Sequence, residues 1–332
     1  MNSNTANKIE IYGELKKLRA DLSDAEQELK QAKSKFDKEK LKDIINDIKL
    51  DLGWALLECG EHEKGLAVYL SVYGKQYQER KYNGIGTALT EMGRYDEAKE
   101  VLEKGLRKFP ESYALWTGLG ILSDYIGDYS GALKSFDTAL RFNYGENSGS
   151  LYNKALILIK LGSFEDAMPI IDDLIERHSG EPRYLAEKGF CCLEMGYPQE
   201  ALQVFQRAMG LFEKFPSVCA GVSIFTGLCC AYMDLGMKRE AMEIALEGLK
   251  RFPDEDPTLY HNVGATFFEM GWSKEAREVL KRGVEIFPED EELRAFLKDV
   301  ETDMDDPDGD TKPFLGLLIL LALLHKKLKK KC

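Results

Sequence analysis

Several residue types and patterns that mark other kinds of protein are scarce or absent here. Only ten of the 332 residues are proline, while leucine, alanine, glutamate and lysine are abundant, which favours helix. The seven cysteines are odd in number and include no CxxC pair, and the amino-terminal MNSNTANKIEIYG lacks the apolar run of a secretory signal. We therefore expect a reducing, cytoplasmic environment.

Signatures of common enzyme classes are also missing. The sequence contains no GxxxxGK[ST], GxSxG or HExxH motif, and only four histidines. The pairs Gly84/Gly86 and Gly118/Gly120 lack the third glycine of a dinucleotide-binding turn, so we expect them inside helices, where they allow close packing. We predict a protein that is not an enzyme, with no cofactor and no metal.

The charge balance argues against nucleic acid as a partner. The net charge is −12, and five lysines among the last eight residues contribute +5, so the rest of the chain carries −12 − 5 = −17. A body with this charge repels phosphate backbones.

What the sequence does contain is a repeat. Residues 91–110, EMGRYDEAKEVLEKGLRKFP, closely match residues 269–288, EMGWSKEAREVLKRGVEIFP. The shared glycine recurs at spacings of 33, 34, 35, 34, 40 and 35 residues. Its seven occurrences are Gly60, Gly93, Gly127, Gly162, Gly196, Gly236 and Gly271. A fixed period of this length indicates stacked copies of one supersecondary unit.

Each recurring residue type has a mechanical role. The glycine ends one helix at a bend that often requires a positive φ. Five residues later an alanine (Gly65 in the first copy) admits a close helix approach, and nine residues later most copies have a large apolar residue that fills the space between hairpins. Phe-Pro pairs at Pro110, Pro253 and Pro288 end the second helix. Each unit is then an antiparallel helix pair that buries its apolar face by stacking.

These residues resemble the tetratricopeptide repeat family. The third copy carries the fullest match, with Trp116, Leu119, Gly120, Gly127, Tyr129, Ala132, Phe136 and Ala139 at signature places. The resemblance implies an all-α fold, a right-handed superhelical solenoid of seven antiparallel helix pairs plus a capping helix over residues 46–298. The longer step of 40 residues predicts about six extra residues in LFEKFPSVCAGVSI, as a longer loop or an extended helix. They are either drift in length or a feature that bends the superhelix or makes a contact.

The same resemblance implies a concave groove lined by the first helix of each pair, which binds a protein or peptide partner. The candidate groove residues are Asn83, Thr117, Ile121, Tyr125, Tyr152, Asn153, Phe190, Thr226, Met233, His261, Asn262 and Phe268. Its apolar middle suits an amphipathic helix or an extended apolar peptide. For each residue, packing between repeats is the alternative. The carboxylate clamp of chaperone-binding members is absent, since Gly84, Thr87, Ala114 and Gly118 stand at its places.

Residues 1–45 carry a heptad pattern with two interpretations. The apolar positions are Ile11, Leu15, Leu18, Leu22, Ala25, Leu29, Ala32 and Phe36. This stripe predicts either a homodimeric coiled coil through Ile11–Phe36 or a long capping helix folded onto the first repeat.

The carboxyl-terminal residues divide into an acidic linker, 299–313, and an apolar and basic tail, 314–332. The apolar run 314–324 is short for a spanning helix, so we consider membrane-surface association, occupation of the groove, or covering of the array's end. Candidate membrane contacts are Phe314, Leu317, Leu318, Ile319, Leu320, Leu321, Leu323, Leu324, Lys326 and Lys327. The leading hypothesis is a non-enzymatic interaction scaffold, tethered to a membrane by this tail. The alternative is a structural protein that self-assembles through the heptads and the tail.

Overall fold

The computed structural model describes residues 3–143, 147–214, 216 and 218–303. Contacts divide the chain into two compact units, the first comprising Ser3–Ile170 and the second beginning at Ile171. Every regular element within the described residues is helical, which confirms the all-α prediction.

The first unit is built from helix pairs that follow one another along the chain. After the amino-terminal helix α1, the pairs are α2 with α3, α4 with α5, and α6 with α7, followed by α8 and the start of α9. Their bounds are α1 Ser3–Gln31, α2 Lys35–Glu58, α3 His62–Ser71, α4 Gln78–Glu91, α5 Tyr95–Lys108, α6 Tyr113–Tyr125, α7 Tyr129–Asn143, α8 Ser148–Lys160 and α9 Phe164–Arg177.

The second unit contains the end of α9, three further pairs and a last helix. Helices α10 with α11, α12 with α13, and α14 with α15 form the pairs, and α16 packs on α15 and α14. Their bounds are α10 Pro182–Glu194, α11 Pro198–Phe212, α12 Val218–Asp234, α13 Lys238–Arg251, α14 Pro257–Glu269, α15 Ser273–Ile286 and α16 Glu291–Asp303.

The hairpin bends lie where the glycine period predicts them. All seven repeat glycines have a positive φ, between 72° and 80°, a backbone conformation that residues with a Cβ rarely adopt. At Gly93 the amide donates to the carbonyl of Thr90, and the next amide, of Arg94, donates back to Leu89. These bonds satisfy carbonyl groups that the end of a helix leaves unpaired. The predicted bends are confirmed.

The small and large repeat residues form the core of each unit. The alanines that follow the bends are fully buried, as are Leu102, Phe136 and Phe205 at the large position. Glycines in the first helices admit these large side chains. A Cβ at Gly120 would lie 2.6 Å from the ring of Phe136, and one at Gly84 2.2 Å from the ring of Tyr69. The glycine pairs therefore serve close packing, as predicted.

The heptad segment is divided between two helices. Helix α1 folds back on α2, where Leu15 and Ala25 are buried and Leu15 packs with Leu52 and Leu56. Ser34 caps α2 by accepting from the amide of Phe36, which places Phe36 in the next helix, 77% exposed. The predicted heptad stripe is thus interrupted before its last member, because a bend at residues 32–34 separates the helices.

The long repeat step takes the form of a longer helix, and one expected boundary, that of the acidic linker, differs. Most of the extra residues after the fifth bend lengthen a helix, because α12 has 17 residues where α10 and α14 have 13. At the other end, α16 continues through Asp303, five residues into the segment assigned to the 299–313 linker. Leu293 and Val300, one heptad apart on one face of α16, are both buried, and this apolar stripe carries the helix past residue 298.

Candidate partner-binding surfaces

The predicted groove residues lie on the first helices of the pairs. We call the side of α4, α6 and α8 that carries them, with the equivalent side of α2, the first-helix face of the first unit. The side of α10, α12 and α14 that carries them is the first-helix face of the second unit. Tyr125 is 47% exposed, and the other eleven side chains are half-buried. A half-buried side chain can pack against a neighbouring helix and also contact a partner. The two units differ in the contacts that these side chains make.

In the first unit, polar contacts join neighbouring first helices. The Thr117 and Ser150 hydroxyl oxygens, on α6 and α8, lie 2.6 Å apart. Lys160 Nζ donates to both carboxylate oxygens of Asp124, at 2.6 and 2.8 Å. These contacts hold α6 and α8 in register.

Tyr125 ties α6 to α4. Its hydroxyl donates to Glu91 Oε1 at 2.9 Å, and its ring centre lies 6.3 Å from that of Tyr95. Burial, the hydrogen bond to Glu91 and that carboxylate's charge together raise the pKa of Tyr125 to about 12. The phenol therefore stays protonated as a donor at neutral pH.

A cavity of about 550 Å³ opens among α1, α2, α3, α4 and α6 of the first unit. Asn83 is the predicted groove residue that lines it. The complete lining is Glu14, Leu50, Asp51, Trp54, Ala55, Glu58, Tyr69, Glu79, Arg80, Asn83, Gly84, Tyr113 and Ala114. Two large aromatic side chains on its wall, Trp54 and Tyr113, are 49% and 42% exposed.

Most of this lining lies outside the predicted groove residues. The predicted groove positions lie ten, six, three and two residues before each bend glycine. Before Gly60 in the first copy these positions are Leu50, Trp54, Leu57 and Glu58, and all but Leu57 line the cavity. That signal was present in the sequence. Glu14 had no such signal, because the repeat does not encode how α1 is placed on α2.

In the second unit, aromatic contacts dominate. The Phe190 ring meets the buried Phe205 ring edge-on, with centres 5.1 Å apart. His261 and Phe268, on α14, both contact Phe296 of α16, at 4.9 and 6.2 Å between ring centres. These three predicted groove residues therefore take part in packing within the unit, and α16 covers part of the α14 face.

Three predicted groove residues have a buried polar atom without a hydrogen-bond partner among the described residues. They are Asn83 Oδ1 on α4, Thr226 Oγ1 on α12 and Asn262 Nδ2 on α14. Buried polar atoms are usually paired, and leaving one unpaired costs about 1–3 kcal/mol. A bound polypeptide, with one backbone donor and one acceptor per residue, could supply the missing partners.

The cysteine doublets lie in the core of the second unit. Burial raises the pKa of the Cys191 and Cys230 thiols to about 12, so at neutral pH both are protonated and poor nucleophiles. Within the part of the chain that the structure describes, no three His, Cys, Asp or Glu side chains are grouped so that they could hold a metal ion.

The predicted membrane contacts between Phe314 and Lys327 lie outside the described residues. Among the helices that are described, none combines the length and the apolar character needed to cross a bilayer.

Comparison with protein-family models gives three matches, each described as a tetratricopeptide repeat. They cover residues 82–122, 124–182 and 257–290. Protein FlbA of Caulobacter vibrioides is 35% identical over 108 residues, which are 32% of this chain and 18% of FlbA.

Solved structures show the same fold. The APC/C hetero-tetramer Cut9–Hcn1 contains a chain similar to this one, with a TM-score of 0.62 and 19% identity over 76% of this chain and 49% of that one. A tetratricopeptide repeat protein of Parabacteroides merdae has a TM-score of 0.59 and 16% identity over 77% of this chain and 98% of its own. This chain thus spans less than half of FlbA and of the Cut9–Hcn1 chain.

Proposed function

Since the chain belongs to the tetratricopeptide repeat family, we propose that it is a non-enzymatic scaffold that binds a partner polypeptide along its first-helix faces. Proteins of this family generally mediate protein–protein interactions, which supports the kind of partner. The Cut9–Hcn1 structure is itself a complex between proteins. The partner is a peptide or an amphipathic helix.

The observation that carries the proposal is the set of unpaired polar atoms at Asn83, Thr226 and Asn262. All three lie at predicted groove positions and are among seven such atoms in the described residues. A hydrogen bond within the chain would remove the cost of their burial, yet none of the described residues supplies one. A partner backbone could donate a hydrogen bond to Asn83 and accept one from Asn262, and these bonds would exist only in the complex.

The test is a double variant, Asn83→Ala with Asn262→Ala, in the full chain. Because these side-chain atoms have no hydrogen-bond partner among the described residues, their truncation removes no hydrogen bond from the fold. We expect proteins that co-purify with the wild-type chain from its native source, identified by mass spectrometry, to be reduced about tenfold, as the loss of two interface hydrogen bonds predicts.

The matched control truncates two exposed amides on α11, a second helix, with Gln199→Ala and Gln203→Ala. This variant should recover the partners at the wild-type level. If the double asparagine variant is folded and also recovers them fully, the first-helix faces are not the binding surface. Phe190 and Phe268 are less suitable for this test, because their rings pack within the unit.

Two finer points of the sequence hypothesis remain proposals. Attachment of residues 314–332 to a membrane is tested by flotation with anionic liposomes, comparing the full chain with a chain that ends at Thr311. Self-association through Ile11–Phe36 has less support, because Leu15 and Ala25 of that stripe are buried against the chain itself. We therefore favour the scaffold over a self-assembling structural protein.

A further inference from the structure

The cavity of the first unit has the size of a ligand site and walls of a particular chemistry. Its volume of about 550 Å³ lies within the range of about 300–1,000 Å³ that is usual for binding pockets. Trp54 comes from α2 and Tyr113 from α6, so its two exposed aromatic side chains belong to different repeats. Large exposed aromatic side chains in a concave site are typical anchors for a ligand.

Negative charge predominates in the cavity lining. Four carboxylates, those of Glu14, Asp51, Glu58 and Glu79, face one guanidinium, that of Arg80. Arg80 is already engaged, because its Nη2 lies 2.8 Å from Asp51 Oδ1. Its Nη1 lies 3.6 Å from Asp47 Oδ1, so two carboxylates already balance the single positive charge of Arg80.

The three remaining carboxylates form no ion pair within the described residues. Trp54 Nε1 donates to Glu58 Oε1 at 2.9 Å, a neutral donor that orients the carboxylate beside the indole ring without cancelling its charge. A carboxylate held at the edge of an indole ring favours a cation that stacks on the face of the ring and donates to the carboxylate oxygens. Arginine does both, because its guanidinium is planar and carries five donors, whereas the lysine ammonium is a compact point charge.

We propose that this cavity binds a basic segment of a partner polypeptide, with an arginine side chain placed between the aromatic walls and Glu14, Glu58 and Glu79. The inference rests on the proposed scaffold function and deepens it by naming the class of partner that the first unit takes. Charge complementarity identifies the occupant. The polar, half-buried Asn83 in the lining of the same cavity suits the backbone that accompanies the side chain.

The experiment measures binding to the full chain by fluorescence anisotropy. The probe is a fluorescein-labelled alanine peptide with arginine at every fourth residue. Matched peptides carry lysine, or citrulline, the neutral isostere of arginine, at the same places. We expect the arginine peptide to bind about tenfold more tightly than the citrulline peptide, and more tightly than the lysine peptide. Raising the salt concentration should weaken the binding.

Two variants with the same change of net charge locate the site. Glu14→Gln, Glu58→Gln and Glu79→Gln together should weaken the arginine peptide about tenfold, because three carboxylates are lost from the cavity. The matched triple, Glu26→Gln, Glu28→Gln and Glu100→Gln, neutralises exposed acids on α1 and α5 and should change binding less than about twofold. Trp54→Leu should remove the preference of the chain for arginine over lysine, and Trp54→Phe should retain part of it.

Equal losses in the two triple variants would overturn the proposal, since binding would then follow net charge alone. Binding of agmatine, the free arginine side chain with its amine, as tightly as the peptide would also overturn it, because a polypeptide would then not be the occupant. If native partners depend on Asn83 and Asn262 but are indifferent to the cavity triple, the scaffold function stands and the basic partner fails. Circular dichroism of every variant shows that it is folded.

Discussion

The first-helix faces of the two units are built on the same repeat but hold different chemistry. In the first unit, neighbouring first helices are joined by Thr117 with Ser150, Lys160 with Asp124 and Tyr125 with Glu91, and a cavity with acidic walls remains open. In the second unit, the first-helix face packs through aromatic rings, those of Phe190, His261 and Phe268.

One aromatic cluster of the second unit joins α11, α12 and the residue that follows α13. Phe212, Phe225 and Phe252 have ring centres 6.0–6.4 Å apart, and the Arg251 guanidinium lies 5.3 Å from the Phe225 ring centre. The extended start of α12 fits against this cluster, where a Cβ at Gly221 would lie 2.5 Å from Phe252 Cζ. The extra residues of the longest repeat step are therefore used for packing.

The difference shows which positions the repeat constrains. Bend glycines and small residues recur because the hairpin geometry requires them, whereas the exposed side of a first helix accepts polar or aromatic residues. Buried aromatic pairs contribute about 0.5–1.5 kcal/mol each beyond their buried area, and exposed ion pairs only about 0–1 kcal/mol. We therefore expect the second unit to be more sensitive to substitution and the first to be better suited to a charged ligand.

The largest expected effect comes from removing the centre of the aromatic cluster. Phe225→Ala should lower the free energy of unfolding by about 3–5 kcal/mol, because the side chain is 1% exposed and its loss leaves a cavity. Urea titration measures the loss, and hydrogen exchange should place it in α12 and α13. As the control, Phe142→Ala in the first unit truncates a ring that is 44% exposed and should cost much less. A loss below about 1 kcal/mol at Phe225 would contradict the role given to the cluster.

A pair of matched glycine substitutions compares the two cores directly. A Cβ at Gly227 would lie 2.1 Å from Phe205 Cζ, and a Cβ at Gly84 would lie 2.2 Å from Tyr69 Cζ. Phe205 is fully enclosed, whereas Tyr69 borders the cavity and has space into which it can move. We expect Gly227→Ala to cost about 3 kcal/mol and Gly84→Ala about 1 kcal/mol.

Thermal and urea unfolding of the two glycine variants measure these costs. Equal costs would show that the cavity gives Tyr69 no freedom to move and would weaken the contrast between the units. If arginine peptide fills the cavity, the loss of unfolding free energy caused by Gly84→Ala should increase, whereas that caused by Gly227→Ala should not change.

The sequence predicts the fold much better than it predicts the binding surface, and particular residues show why. Gly93 and Ala98 recur in near-identical contexts because backbone geometry dictates them, so their roles can be inferred without a structure. Phe268 occupies a groove position by the same count, yet it packs on Phe296 because α16 lies over α14. The repeat does not encode which helix follows the last hairpin, or how α1 brings Glu14 to the cavity. Contacts between non-equivalent helices are set by side chains outside the period.

The smallest expected effect concerns a polar contact of the first unit. Tyr125→Phe removes the hydrogen bond to Glu91 and should cost about 0.5 kcal/mol at neutral pH, because the side chain is 47% exposed and water replaces much of the bond. The pKa of Tyr125 is raised in the folded chain from 10.0 to about 12, so folding favours the protonated phenol. Its contribution to stability is therefore fully present below about pH 10 and is lost as the pH rises through about 12.

Ultraviolet titration measures the pKa of Tyr125, as the difference between the titration curves of the wild-type chain and the Tyr125→Phe variant. The titration is restricted to the pH range in which circular dichroism shows a folded chain. Glu91→Gln should lower the pKa of Tyr125, because it removes the nearby negative charge and leaves the partial burial of the ring unchanged. Tyr69 serves as the internal control, since its pKa of about 12 is due first to burial and does not involve Glu91. If Tyr125 already titrates near pH 10 in the wild-type chain, the contact between α4 and α6 is not formed in solution, and the polar character assigned to the first unit would rest on Thr117 and Lys160 alone.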